Sequence, residues 1–250
     1  MNKMHTEPLV VSPRRHSGLS LCMLVLLCLV GLMPPVAHAA AAAASIRYDA
    51  ANRIFRIDAA EMTYVLGVNE HQQLQSLYWG PRLGADDSFP AAKAMPEAAS
   101  FDLPVTTTPH EFVGWGGGLY VEPDLKITFP DGNRDLALKY VSHKIDGNKL
   151  DIVMKDVSRE VYVTLQYQAD AETGILRRSA EIENRTDAPF TIEQAAAATW
   201  NLPRGTDYRL RYLSGRWGAE WSVQQQPIHP GKTVLESRRL RASGKLRVGV

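Results

Sequence analysis

Two kinds of residue in this 250-residue chain carry the potential for chemistry: five tryptophans and a scatter of carboxylates. Trp79, Trp115, Trp200, Trp217 and Trp221 all fall in or near loops and strand ends. A flat indole face stacks on the C–H face of a sugar ring, yet the same side chain serves equally well as a core anchor. Asp86, Asp87, Asp102, Glu111 and Glu122 crowd into one region. Hydrolysis of a glycosidic bond requires two carboxyl groups about 5 to 9 Å apart. Any β-rich chain offers such pairs, so these carboxylates read first as solvated loop charges. The histidines His71, His110, His143 and His229 are scattered without metal-ligand spacing and read as surface or packing residues. No nucleophile elbow or phosphate-cradling loop occurs. The run GWGGG at 114–118 lacks a strand-to-helix context, and reads as a place where backbones approach closely or turn sharply. No cofactor and no metal are expected.

The composition is that of an ordinary globular protein, 45% hydrophobic and 22% charged. A net charge of +1 provides no field for nucleic acid or an anionic membrane. The N-terminus stands apart. Arg14 and Arg15 precede an apolar run from Leu19 to Met33, and AHA at 37–39 supplies small residues for a signal peptidase. Residues 1–39 therefore read as a signal peptide, and 40–45 as a linker. The protein is expected to be exported, to the periplasm or the medium, with no membrane contact after cleavage. Both cysteines, Cys22 and Cys28, lie in the apolar run, so the mature chain is expected to lack disulfides and thiol chemistry.

The elements that must position any site read as strands. Period-two alternation predicts strands around Ile54–Ile57, Met62–Val68, LQSLYWG, DLKITF, LALKYVSHKI, KLDIVMKD, VYVTLQYQA and ILRRSAEIEN. Val161, Val163, Leu165 and Tyr167 are expected to share one face. PDGNRD, DGNK, ETG and NRTDAP are turn signals between them. The alanine run in FTIEQAAAATWNL reads as a strand rather than a helix. The even spacing of strands and turns predicts an all-β fold, a large antiparallel β-sandwich. One segment, Pro81–Asp124, breaks the rhythm, and a loop of that length is expected to be functional.

Taken in order, several stretches resemble the N-terminal domain of glycoside hydrolase family 36, the bacterial α-galactosidases. They are LQSLYWGPRL at 74–83, the stretch from Pro109 to Ile145, the stretch from Leu165 to Pro203, and YLSGRWGAEWSVQQQPIHPGKTVLESRR at 212–239. The spacings in LSG.W..E and PG....ESRR are the most specific. The resemblance runs from about Ile46 to Arg239, and implies a large β-sandwich (a supersandwich) over 46–239. This chain has Val121 where family members often carry an arginine, and residues 240–250 form a divergent tail in place of the glycine, small residues and histidine that usually follow.

The resemblance further implies a catalytic (β/α)8 barrel, missing here, that carries the nucleophile and acid/base aspartates of a retaining mechanism. The expectation is therefore a non-catalytic front domain of an enzyme acting on α-galactosides of the melibiose or raffinose type, inactive alone. In the family this domain packs on the barrel and supports oligomers, so a homo-oligomer is possible. The long loop with Asp86, Asp87 and Trp115 is then expected to lie near a sugar site. A free-standing carbohydrate-binding or oligomerisation module is the competing expectation, and a partner for a separately encoded barrel is a third.

Overall fold

A computed structural model describes residues 44–95, 108–116, 121–202, 205, 207–229 and 231–235, with the backbone of 247–249. The signal-peptide reading lies outside the described residues, as does Asp102. Thirteen strands follow one another and no helix occurs among the described residues. The first sheet is a meander of β1 (Ser45–Asp49), β2 (Ile54–Ala59), β3 (Met62–Val68) and β4 (Leu74–Pro81). After β5 (Leu125–Thr128) comes a second meander of β6 (Leu138–Asp146), β7 (Lys149–Asp156), β8 (Val161–Ala169) and β9 (Leu176–Asn184). Strand β10 (Thr191–Ala195) pairs with β5. A third sheet sets β11 (Arg209–Arg216) between β12 (Ala219–Pro227) and β13 (Arg247–Gly249). Every ladder is antiparallel.

The two four-stranded sheets pack face to face. Phe55, Ile57, Tyr64 and Leu66 of the first meet Leu150, Ile152, Met154 and Leu165 of the second, with Leu125 and Ile127 of β5 in the same core. The alternation in β8 is realised in full: Val161, Val163, Leu165 and Tyr167 are buried, while the residues between them are only partly covered. The turn signals also hold. Gly132, Gly147 and Gly174 all take positive φ in the turns that separate these strands.

The alanine run behaves differently from its reading. The strand stops at Ala195, and 196–202 leaves the sheet as irregular chain because its backbone bonds elsewhere: Ala196 N–H donates to the Asp124 carbonyl at 2.7 Å. Strand β1 and the β11–β12 hairpin are strands beyond those expected from the sequence.

The first sheet is covered on both faces, since all six residues of β2 are buried. Its inner face holds Phe55, Ile57 and Ala59 in the core. On the outer face Ile54 and Val65 pack with Ala92 under the chain that follows β4, with Leu77, Tyr78 and Phe89 at the margin. Arg56 holds that chain in place: Nη1 donates to the Asp87 carbonyl and Nη2 to the Leu83 carbonyl, both at 2.9 Å. Its own charge is balanced by Asp58 at 3.0 Å. The first part of the long loop is thus a strap across a sheet.

A second stretch of that loop crosses the sandwich. Residues 109–111 bond to β4 through Ser76 N to the Pro109 carbonyl (2.9 Å) and Glu111 N to the Leu74 carbonyl (3.0 Å). Val113 and Trp115 then bond to Asp124 and Leu125, at the start of β5. This crossing requires glycine. A Cβ on Gly114 would sit 2.1 Å from the Leu136 carbonyl oxygen, and Gly116 has φ +100 against the Asp135 carboxylate. Gly114→Ala is therefore expected to cost about 1–3 kcal/mol or more by forcing the two backbones apart. Gly132→Ala, with open space around its Cβ position, costs only the left-handed backbone preference, about 1–2 kcal/mol. Urea midpoints of the two variants check this, and a smaller loss for Gly114→Ala than for Gly132→Ala removes the close-approach argument.

Candidate functional site

The strap places the first two candidate residues. Asp87 closes a turn, its Oδ2 accepting from Gly84 N–H at 2.8 Å, while its carbonyl is held by Arg56. Asp86 lies beside it, exposed to solvent. Trp115 belongs to the crossing and meets other partners. Lys126 Nζ stands 4.8 Å and the Arg134 guanidinium 5.2 Å from its ring centroid. Cations are drawn to the negative face of an indole, so this ring is already engaged. The partners of Trp115 are thus Lys126 and Arg134, and those of Asp87 are Gly84 and Arg56; the strap and the crossing each hold their own.

Beneath the surface lies a constellation that sequence reading misses. Glu111, read as a solvated loop charge, is fully buried, and so is its partner Arg178: their side chains are 0% and 1% exposed with Nη1 to Oε1 at 2.9 Å. The Tyr64 hydroxyl donates to Glu111 at 2.8 Å and the Tyr167 hydroxyl at 2.8 Å. Arg178 also donates to the Thr199 carbonyl at 2.6 Å and to the Glu111 carbonyl. Asp124 adds a second buried carboxylate, accepting from Val113 N–H at 2.8 Å and from the Thr199 hydroxyl. Burial pushes the Glu111 carboxyl up to about 7, against the opposing pull of Arg178 and the two tyrosines. Burial raises Asp124 as well. No local signal marks these residues, because the partners of Glu111 lie 47, 56 and 67 positions away. Of the other loop carboxylates, Glu122 is exposed and pairs with Lys232 at 2.9 Å.

Arg178 reaches the surface through aromatics. Its guanidinium lies 5.7 Å from the Trp200 ring centroid, and Trp200 in turn packs on Trp79 at 5.1 Å. These two tryptophans remain 37% and 41% exposed. The LSG.W..E spacing forms the β11–β12 hairpin, with Trp217 next to Gly218 at its tip. Trp217 is 88% exposed and Trp221 74%, the latter with φ +62. None of the five tryptophans is a core residue. Among the described residues no group of histidine, cysteine or carboxylate side chains is arranged to hold a metal.

The fold is an all-β antiparallel sandwich with two carboxylates locked inside its core and tryptophans on its surface. Residues 72–247 match the Glycosyl hydrolase family 36 N-terminal domain, and the chain belongs to that family. It is 25% identical over 222 residues to the alpha-galactosidase AgaA of Geobacillus stearothermophilus, covering 78% of this chain and 30% of that protein. It is 28% identical over 225 residues to the bifunctional alpha-galactosidase/sucrose kinase AgaSK of Mediterraneibacter gnavus, covering 78% of this chain and 24% of the relative. The crystal structure of the alpha-galactosidase AgaB from Geobacillus stearothermophilus superposes with a TM-score of 0.69 at 22% identity, over 78% of this chain and 30% of that one. The chain thus spans less than a third of the length of these relatives. The match continues to residue 247, where β13 pairs with β11.

The buried carboxylate gives the fold a pH dependence of defined sign. Glu111 has a folded pKa near 7, above its ordinary value of 4.5, so the folded state prefers the proton. Its contribution is complete below about 4.5 and is lost as pH rises through about 7. Glu111→Gln keeps the side-chain shape without the charge and is expected to flatten the slope of unfolding free energy between those limits. The wild-type slope it removes is on the order of 3 kcal/mol in total. Chemical denaturation across this range checks it, and an unchanged slope in the variant removes Glu111 as the source.

Proposed function

We propose that this chain is the non-catalytic front domain of a retaining hydrolase of α-galactosides, and that it docks on a (β/α)8 barrel through the β11–β12 hairpin. The observation that carries the reading is the hairpin itself. Trp217 and Trp221 stand in solvent with Val223 exposed beside them, and Val234 and Leu235 are exposed just beyond β12. Large apolar side chains held together on a surface mark an interface. The left-handed backbone of Trp221 costs about 1–2 kcal/mol, and such strain persists where it is part of function. Relatives that carry the alpha-galactosidase name are more than three times as long as the matched region, which leaves room for a barrel.

The chemistry supports the same division of labour. A retaining mechanism needs one carboxylate free to attack the anomeric carbon and a second, about 5–5.5 Å away, to exchange a proton with the leaving oxygen and then with water. Glu111 and Asp124 are committed to Arg178, two tyrosines, Thr199 and a backbone amide. The substrate reading follows from relatives: one AgaA variant was crystallised with raffinose and another with stachyose. Under this reading the strap carrying Asp86 and Asp87 reaches toward a sugar site of the assembled enzyme, with Trp115 bracing the crossing behind it.

Three measurements test the reading together. The purified protein is expected to show no turnover of an aryl α-galactoside above a heat-killed control. Light scattering is expected to show self-association, and Trp217→Ser with Trp221→Ser is expected to abolish it while circular dichroism is unchanged. Galactoside turnover, or a wild type that stays monodisperse at high concentration, overturns the proposal. Calorimetric binding of raffinose by the isolated protein would favour a free-standing carbohydrate-binding module instead.

A further inference from the structure

A cavity of about 170 Å³ opens where three parts of the fold meet: the β3–β4 turn, the crossing through 110–116, and the start of β6. Its walls are of two kinds. Phe112, Val113 and Leu136 form an apolar side, continued by the backbones of Gly114 and Gly116. Opposite them stand Gln73, His110 and Lys139. None of the lining residues carries a carboxylate; the nearest, Asp135, lies against the Gly116 backbone.

The polar side is arranged as donors. Lys139 Nζ donates one hydrogen bond, to the His71 carbonyl at 2.7 Å. Burial alone holds its pKa below the usual lysine value, with no ionised partner contributing. A partly desolvated ammonium without a counter-ion among the described residues, at the edge of a cavity with one apolar wall, favours an anion. Gln73 is buried, and its Oε1 accepts from Asn69 Nδ2 at 3.0 Å, which leaves the amide nitrogen to donate elsewhere. The size fits a single ring, since apolar cavities of roughly 150 Å³ admit benzene.

We propose that this cavity binds a small carboxylate bearing a six-membered apolar ring, the carboxylate held by Lys139 and Gln73 and the ring against Phe112, Val113 and Leu136. Such a ligand would bridge the two sheets of the sandwich. Tyr140 N–H already bonds the Gln72 carbonyl at 2.8 Å across the same seam, so occupancy would brace an existing contact. The site is independent of the barrel-docking surface, which belongs to a different sheet.

The test uses the purified protein with benzoate as the probe, followed by amide NMR and thermal unfolding. Benzoate is expected to shift the Gly114 and Gly116 amides saturably and to raise the melting temperature. Lys139→Met is expected to weaken binding roughly tenfold or more, from loss of one charge-assisted hydrogen bond. Gln73→Met serves as a second variant should Lys139→Met fail to fold, with a weaker loss expected. Absence of saturable shifts, or equal affinity in the variants, overturns the proposal. Toluene binding as tightly as benzoate overturns the anion assignment, and galacturonate binding more tightly than benzoate overturns the apolar-ring assignment.

Discussion

Burying a carboxylate and a guanidinium together costs several kcal/mol per ion before any contact is made. The Glu111–Arg178 pair tolerates that cost only because each ion is almost fully satisfied. Glu111 receives two phenol hydroxyls and the guanidinium, and Arg178 donates to two backbone carbonyls besides. Tyr64 comes from β3, Tyr167 from β8, Arg178 from β9, and Glu111 from the chain crossing between the sheets. This cluster ties the two sheets to one another alongside their apolar core, because any slip leaves a buried charge unpaired. One nitrogen, Arg178 Nε, still lacks a partner, and the face of Tyr167 near the same guanidinium offsets part of that loss.

The cluster also orders what lies outside it. Thr199 is held twice, by Arg178 through its carbonyl and by Asp124 through its hydroxyl. That anchoring pulls residues 196–202 out of the sheet and sets Trp200 over the guanidinium, where it packs on Trp79. A surface pair of tryptophans thus inherits its geometry from an ion pair in the core. On the other side of the first sheet Arg56 and Asp58 repeat the device at smaller scale, and the carbonyls that Arg56 binds decide where the strap and its two aspartates lie.

Legibility in the sequence followed the range of the interactions. Strands β7 and β8 were readable because alternation is local: each buried residue is two positions from the next. Turns were readable because a glycine's positive φ is a property of one residue. Gly114 of GWGGG marks a close approach and Gly116 a positive φ, the two readings the run allows, but the partner Leu136 is not legible in the run itself. Glu111 was misread for the opposite reason. Nothing around it in HEFVG distinguishes a buried carboxylate from an exposed one, and its burial is decided by residues far along the chain. The alanine run misled because a strand's end was set by hydrogen bonds to Asp124 and Arg178 rather than by its own propensity. Strand β1 does alternate, Ser45-Ile46-Arg47-Tyr48-Asp49, but it is short and only partly buried, so its pattern is weak beside that of β8.

The hairpin of β11 and β12 obeys a different logic from the rest. The two meanders bury their apolar faces against each other and complete a core without outside help. In β12, by contrast, almost every residue is exposed, and β11 contributes a single buried side chain, Leu210. Its ladder is held by backbone bonds and by polar pairs such as Arg211 with Gln225 at 2.7 Å. Yet it carries two of the five tryptophans, one of them in a strained backbone. A hairpin selected only for the stability of this domain would not combine those features, since an exposed indole gains nothing from water and a left-handed tryptophan loses backbone energy. The combination is intelligible if the stabilising contacts lie on another surface. The core, with its buried ion pair, carries a hairpin whose own side chains stay almost wholly in solvent.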